Sequence, residues 1–110
     1  MKRMYFCKRG RPAMATYVTL VSFTEKGVAN IKDTCKRAAE VKTHAKKHGI
    51  ELKQQYWCVG AYDGLMIFEA PDDETAAAAM LSLSSRGNVR TQTLRTFSAD
   101  EMSKILGKIA

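Results

Sequence analysis

Residues with a period of two occur in three segments of the chain, and a fourth segment is a short apolar run; both patterns are typical of β-strands. The first segment, Thr16–Phe23, places Tyr17 and Val21 on one face and Val18 and Leu20 on the other, so both of its faces are apolar. The later segments are Ile50–Val59, Leu65–Ala70 and Val89–Phe97. We therefore predict four strands, and the bend at residues 60–64 indicates that the second and third form a hairpin.

The segment after the first strand has apolar residues at helical spacing, at Val28, Ile31, Cys35, Ala38 and Ala45. Thr24 is a suitable N-cap and Gly49 a suitable stop, which predicts a long helix over residues 25–48. Asp33 and Thr34 favour helix ends over helix interiors, so they could start a second cap and kink this helix.

Two further helices are predicted. The first follows Pro71, begins at the acidic residues 72–74 and runs through Ser85, because negative charge stabilises a helix N-terminus. The second begins with a capping box formed by Ser98 and Glu101. Its apolar stripe consists of Met102, Ile105, Leu106 and Ile109.

The element order is β-α-β-β-α-β with an added C-terminal helix, which is the order of the ferredoxin-like α+β fold. In that fold the first and third strands are central, and these are the two segments that are apolar on both faces. Two helices cover only one face of such a sheet, so a second subunit, the last helix or both must cover the other. The sequence therefore predicts a homodimer or a larger homo-oligomer.

Several short motifs occur together in this chain: ATYVTLVSFTEKG at the start, the Gly60-x-Tyr62-Asp63 turn, EAPDDE at Glu69–Glu74, the alanine-rich helix, and GNVRTQTLRTF at Gly87–Phe97. As a set in this order they resemble the GYD domain family of small bacterial proteins. The resemblance covers about residues 14–102. It implies a ferredoxin-like domain of the dimeric α/β-barrel group, in which two sheets face each other around a shared cavity, and it implies no particular reaction.

The net charge of +7 is concentrated at the N-terminus. Residues 1–13 contain five basic residues and no acidic one, whereas residues 14–110 have 13 basic and 11 acidic residues, a net charge of +2. We expect a disordered basic leader at 1–13 and a single domain at 14–110. With the charge outside the domain, nucleic-acid binding is not favoured.

The cellular compartment is predicted from targeting signals and from the number and spacing of the cysteines. No apolar run resembles an export signal or a membrane span. The three cysteines are odd in number and form no C-x-x-C pair, which favours a reduced cytoplasm. Cys58 is expected to be a small buried residue, and Cys35 to lie in the first turn of a helix.

Motifs for catalysis or cofactor binding are lacking. Glu40, His44 and His48 would share one helix face, but the nearby lysines disfavour a metal ion, so we predict neither a metal nor a cofactor. The H-E-x-x-H, G-x-S-x-G and G-x-G-x-x-G motifs do not occur. No residue is therefore assigned as catalytic, and whether the protein is an enzyme stays open.

Seven residues are candidates for binding a ligand: Tyr56, Tyr62, Asp63, Arg90, Thr91, Thr93 and Arg95. Asp63 is better explained as a turn residue that accepts backbone N–H groups. Arg95 is the preferred contact for an anionic group, because guanidinium binds carboxylates in a bidentate manner. If the opposite face of the strand lines the cavity, Arg90 takes that role.

The leading hypothesis is a non-catalytic, homo-oligomeric module that binds a small ligand or a partner protein. The alternative is a cofactor-independent enzyme of the dimeric-barrel type, a monooxygenase or isomerase acting on an aromatic or polyketide-like molecule. In that case Tyr56, Tyr62, Asp63 or Arg95 would assist proton transfer.

Overall fold

The computed structural model describes residues 13–110, so the predicted leader lies outside the described residues except for Ala13. The order of strands and helices agrees with the prediction. The strands are β1 (Ala15–Phe23), β2 (Glu51–Trp57), β3 (Gly64–Ala70) and β4 (Val89–Thr96), and the helices are α1 (Glu25–Ala29), α2 (Thr34–Lys47), α3 (Asp73–Ser85) and α4 (Ala99–Leu106).

The four strands form one antiparallel sheet in the order β2-β3-β1-β4. The prediction of a ferredoxin-like α+β fold is confirmed, and so is the central position of β1 and β3. Helices cover one face of these central strands, and the other face is available to a further element or subunit. Both faces can therefore be apolar.

The predicted helix over residues 25–48 is not continuous. It is interrupted after α1 by a 3₁₀ turn at Ile31–Asp33, and α2 begins at Thr34. The Asn30 side chain donates to the Lys26 carbonyl at 3.0 Å, an alternative to continued helical bonding. The prediction of a single helix is therefore wrong, whereas the second start near residues 33–34 is confirmed.

This interruption changes which residues of the segment reach the core. Val28 is 57% exposed and Ile31 is 41% exposed, so neither is a core residue. In α2 the partly buried positions include Ala38, Val41 and Ala45. Helical spacing predicted one continuous stripe, but the 3₁₀ turn interrupts it before α2.

The core lies between the sheet and helices α2 and α3. Its buried members are Tyr17, Ile50, Phe68, Ala70 and Ala76, and the Tyr17 and Phe68 rings stack with their centroids 5.3 Å apart. Such offset aromatic pairs add to the free energy gained from burial alone. The core therefore depends on the helix side of the two central strands.

Both cysteines within the described residues are exposed. The prediction that Cys58 is buried is wrong, because β2 ends at Trp57 and Cys58 lies in the loop that follows. Cys35 does lie in the first turn of α2, as expected. The Trp57 indole donates to the Thr34 hydroxyl at 3.0 Å and joins this loop to the start of α2.

The predicted capping of the last helix is confirmed, since Ser98 and Glu101 form both hydrogen bonds of a capping box. Within residues 13–110, however, α4 makes at most limited contact with the sheet. Of the predicted apolar stripe, Met102 is 44% exposed and Leu106 is 54% exposed, whereas Ile105 is half-buried. Ile109 is 68% exposed and lies beyond α4, which ends at Leu106. No helix among the described residues is long and apolar enough to cross a membrane.

Candidate functional site

The face of the sheet that is turned away from α2 and α3, called the open face below, carries two rows of mainly apolar side chains. The register places Leu94, Val18 and Ile67 side by side in one row and Leu20, Leu65 and Tyr56 in the other. Leu94 is 52% exposed and Tyr56 is 54% exposed, so both rows reach solvent at the edge strands. Exposed apolar patches of this kind mark interaction surfaces.

Charged residues lie at the two ends of the open face. Arg90 is the cross-strand neighbour of Ser22 at one end, and Glu69 is the neighbour of Thr16 at the other. Within the described residues neither Arg90 nor Glu69 has a salt-bridge partner. The open face is therefore positive at one end, negative at the other and apolar between them.

Two of the candidate tyrosines border the open face. The Tyr62 hydroxyl donates to the Gln92 side-chain oxygen at 3.4 Å, a long contact, and the Tyr56 hydroxyl donates to Gln54 at 2.5 Å. Both phenols therefore hydrogen-bond to neutral amides.

Asp63 organises the hairpin turn. Its carboxylate accepts the backbone N–H of Phe23 at 2.8 Å, its own N–H donates to the Val21 carbonyl at 2.8 Å, and its carbonyl accepts the Cys58 N–H at 2.8 Å. These three bonds join the ends of β1 and β2 to the turn. The side chain is occupied by the backbone, as the turn interpretation expects.

Replacing Asp63 with Ala should lower the free energy of unfolding by about 1–2 kcal/mol, because the Phe23 N–H loses its acceptor. Urea denaturation of the two proteins measures the loss. Asp63→Asn keeps a side-chain acceptor and should lose less. An unchanged stability in Asp63→Ala, together with lost partner binding, would instead assign the carboxylate to a binding site.

The other candidate residues of β4 lie on the helix side of the sheet. The hydroxyls of Thr93 and Thr19 are hydrogen-bonded at 2.9 Å. The Arg95 guanidinium lies over the rings of Phe97, 4.4 Å from the centroid, and Tyr17, 5.7 Å from the centroid. These cation–π contacts hold Arg95 against the domain, opposite to the face that Arg90 occupies.

Tyr17 forms a hydrogen bond from the core to α3. Its hydroxyl donates to Asp73 Oδ1 at 2.5 Å. Burial of the phenol, and then its hydrogen bond to the Asp73 carboxylate, raise the pKa of Tyr17 to about 12. Both effects disfavour the phenolate, so the folded state binds the phenolic proton more tightly than the unfolded chain does.

The stabilisation tied to this raised pKa should be complete below about pH 10 and should be lost as the pH rises through about 12. Tyr17→Phe lacks the ionisable group, so its stability deficit relative to the wild type should shrink across that window. Denaturant titrations at about pH 8, 10 and 11.5 measure this difference. A deficit that stays constant with pH would contradict the shift.

Two of the family-like motifs meet in space beside α1. The Thr24 N–H donates to the Asn88 carbonyl at 3.0 Å, the Thr24 hydroxyl donates to the Gly87 carbonyl at 2.5 Å, and the Lys26 ammonium donates to the Arg86 carbonyl at 2.8 Å. Residues 24–27 and 86–88 are thus one structural unit, which fixes α1 against the start of β4.

A groove of about 600 Å³ separates α2 from α3. Its floor is formed by Ile50, Leu52, Met66 and Phe68, and polar side chains border it at both ends: His44, His48, Asp72, Glu74 and Arg86. The volume is typical of small-molecule sites. The alanines of α3 leave this space open, because they are too short to reach α2.

The seven predicted ligand residues do not form one cluster. Tyr56, Tyr62 and Arg90 border the open face, Thr91, Thr93 and Arg95 lie on the helix side, and Asp63 lies in the turn. Their role as ligand contacts stays a prediction. Sequence reasoning missed both the groove and the opposite charges at the ends of the open face. The opposite charges could have been found by aligning the predicted strands in register.

Comparison with known proteins adds the family. The model of the GYD domain matches residues 17–106. The chain is also 37% identical over 82 residues, which is 74% of this chain and 86% of the relative, to a Thermus thermophilus protein described as "Glutamine synthetase and cystathionine beta-lyase binding protein". The family match contains nearly all of the four strands, both core helices and the Gly-x-Tyr-Asp turn. The chain belongs to the GYD domain family.

Proposed function

We propose that this chain is a non-catalytic, homo-oligomeric protein-binding module, and that its partner is a metabolic enzyme of the glutamine synthetase or cystathionine β-lyase type. The observation that carries the proposal is the relative whose description states that it binds these two enzymes. The relative aligns over most of both chains, so the likeness extends well beyond a single motif.

Self-association is assigned to the open face. Its two apolar rows cross three strands each, and Leu94 and Tyr56, which end the rows on the edge strands, are about half exposed. A second copy of the same surface would bury both sets of side chains at once, as isologous dimers do. This also agrees with the dimeric α/β-barrel arrangement implied by the family resemblance.

Binding of the enzyme is assigned to the apolar stripe of α4. An isolated helix of eight residues is marginal in water, so α4 needs a partner surface to be stable. Met102 and Leu106 lie on one side of it and are exposed, and Ile109, just after the helix, is exposed as well. Helices of this kind bind by inserting such a stripe into a hydrophobic groove of the partner.

The contacts of the candidate residues favour binding over catalysis. Asp63 holds the backbone of Phe23, and Arg95 lies against Phe97 on the face opposite to Tyr56. A proton-transfer pair would need its acid and base within hydrogen-bonding reach of one substrate. The cofactor-independent enzyme therefore stays the alternative, without a contact that supports it.

The test uses purified glutamine synthetase and cystathionine β-lyase from the organism of the chain. We expect the wild-type protein to bind at least one of them in surface plasmon resonance. Leu106→Glu should weaken that binding by about tenfold or more, because it places a charge in the apolar stripe. If the wild-type protein binds neither enzyme, the proposed partner is wrong.

Two variants serve as controls for this experiment. Leu81→Glu adds the same charge at a 71% exposed leucine of α3 and should leave binding unchanged. Ala79→Leu narrows the groove between α2 and α3 and should also leave it unchanged. If Ala79→Leu abolishes enzyme binding while Leu106→Glu does not, the groove and not α4 is the docking site.

A further inference from the structure

We propose that two copies pack open face to open face with their strand ends reversed, so that Arg90 of each copy lies over Glu69 of the other. This inference rests on the proposed self-association and adds the arrangement of the two copies. The partner is a second copy of this chain, recognised by the charges at the two ends of its open face.

The positions of the two charged residues are symmetric about the apolar rows. Arg90 is level with Ser22 and Glu69 is level with Thr16 on β1, so each lies three positions from Thr19. At about 3.4 Å per residue, both are about 10 Å along the strand direction from the centre of the patch. The rows themselves are level with Val18 and Leu20, on either side of that centre.

Arg90 lies on β4 and Glu69 on β3, so the two residues are also on opposite sides of β1, each about 5 Å from it. A two-fold axis that passes through Thr19 and is tilted by about 25° from the perpendicular to the strands brings these positions together. It lies in the plane of the interface and exchanges the two ends of the sheet, so the positive end of one copy meets the negative end of the other. The symmetry creates the contact twice, and the apolar rows of the two copies meet between the two ion pairs.

The charges also disfavour the other simple arrangement. If the two copies packed without reversal of the strand ends, Arg90 would face the positive end of its partner and Glu69 the negative end. Like charges that lose water in an interface cost free energy, whereas opposite charges set orientation and register. Within residues 13–110 neither side chain has an internal ion pair that would compete.

Charge reversal tests this arrangement. Arg90→Glu and Glu69→Arg, each alone, should weaken homodimerisation by about tenfold or more in sedimentation equilibrium, because each places two like-charge contacts in the dimer. An equimolar mixture of the two variants contains both opposite-charge contacts. It should form heterodimers, resolved by native mass spectrometry, with an affinity within about threefold of that of the wild type.

Lys42→Glu and Glu40→Arg on α2 are the matched controls and should change neither homodimerisation nor mixing. If the Glu69→Arg variant does not fold, the Arg90→Gln variant is used in its place, since Arg90 is exposed. Dimerisation of the Arg90→Gln variant should depend much less on ionic strength than that of the wild type.

A mixture that dimerises no better than the separate variants would overturn the inference. So would a dimer that Arg90→Gln leaves unchanged. If Leu94→Glu dissociates such a dimer, the open face is the interface and only the end-reversed arrangement fails. A wild-type protein that is monomeric at micromolar concentration overturns both the arrangement and the proposed self-association.

Discussion

Gly27→Ala is expected to lower the free energy of unfolding by about 2–3 kcal/mol or more, because no space exists for a methyl group at this position. A Cβ atom on Gly27 would lie 2.1 Å from the carbonyl oxygen of Asn88 and 3.4 Å from the Cβ atom of Phe23. The Asn88 carbonyl cannot simply move away, since it accepts the Thr24 N–H. The substitution therefore separates α1 from the start of β4.

Thermal unfolding measures this effect, and for a domain of this size we expect the melting temperature to fall by about 10 °C or more. Gly107→Ala is the control. It follows α4, and the nearest atom to its added Cβ would be the Lys104 carbonyl oxygen at 3.3 Å, so a small change is expected. A Gly27→Ala protein as stable as the wild type would mean that residues 86–88 shift at little cost.

Leu94→Glu is expected to weaken homodimerisation by about 100-fold or more while leaving the monomer folded. Leu94 is 52% exposed on an edge strand, so a glutamate there remains hydrated in the monomer. In the proposed dimer the same carboxylate would lie unpaired beside Val18, and an unpaired charge in an apolar interface costs several kcal/mol. A factor of 100 corresponds to about 2.7 kcal/mol.

Sedimentation equilibrium and circular dichroism together check this prediction. The matched control is Leu81→Glu on α3, which introduces the same charge at an exposed leucine outside the open face. Equal weakening by both variants would indicate a general effect of charge. A Leu94→Glu protein that dimerises as well as the wild type would place the interface elsewhere, and the exposed stripe of α4 would be the next candidate.

The fold could be predicted from the sequence because its strong signals are local. A period of two located β1, β2 and β4, and a short apolar run located β3. The two-sided apolar pattern of β1 and β3 identified them as central before any register was known. Thr24 and Ser98 each accept an N–H as predicted for an N-cap, because capping depends on residues only a few positions apart. Asp72, predicted only as negative charge at the start of α3, is the N-cap of that helix. The motifs were also sufficient to recognise the family.

Other features depend on residues that are distant in the chain. Apolar spacing alone could not show that α1 ends at Ala29, that Val28 and Ile31 remain exposed or that Cys58 lies outside the sheet. The requirement for glycine at position 27 arises from the Asn88 carbonyl, which only the folded chain brings near. The requirement for glycine at position 27 is therefore set by a tertiary contact and not by the local sequence.

For the candidate site, too, some features could be predicted from the sequence and others depend on the tertiary structure. The sequence supplied polar residues on β4, and the two-residue period correctly grouped Thr91, Thr93 and Arg95 on one face. Which face they occupy depends on the pairing of β4 with β1, and that pairing turns Arg95 toward Tyr17 and leaves Arg90 on the open face. The tertiary structure also sets Arg90 and Glu69 at opposite ends of one surface, because register, not sequence distance, determines which side chains share a face.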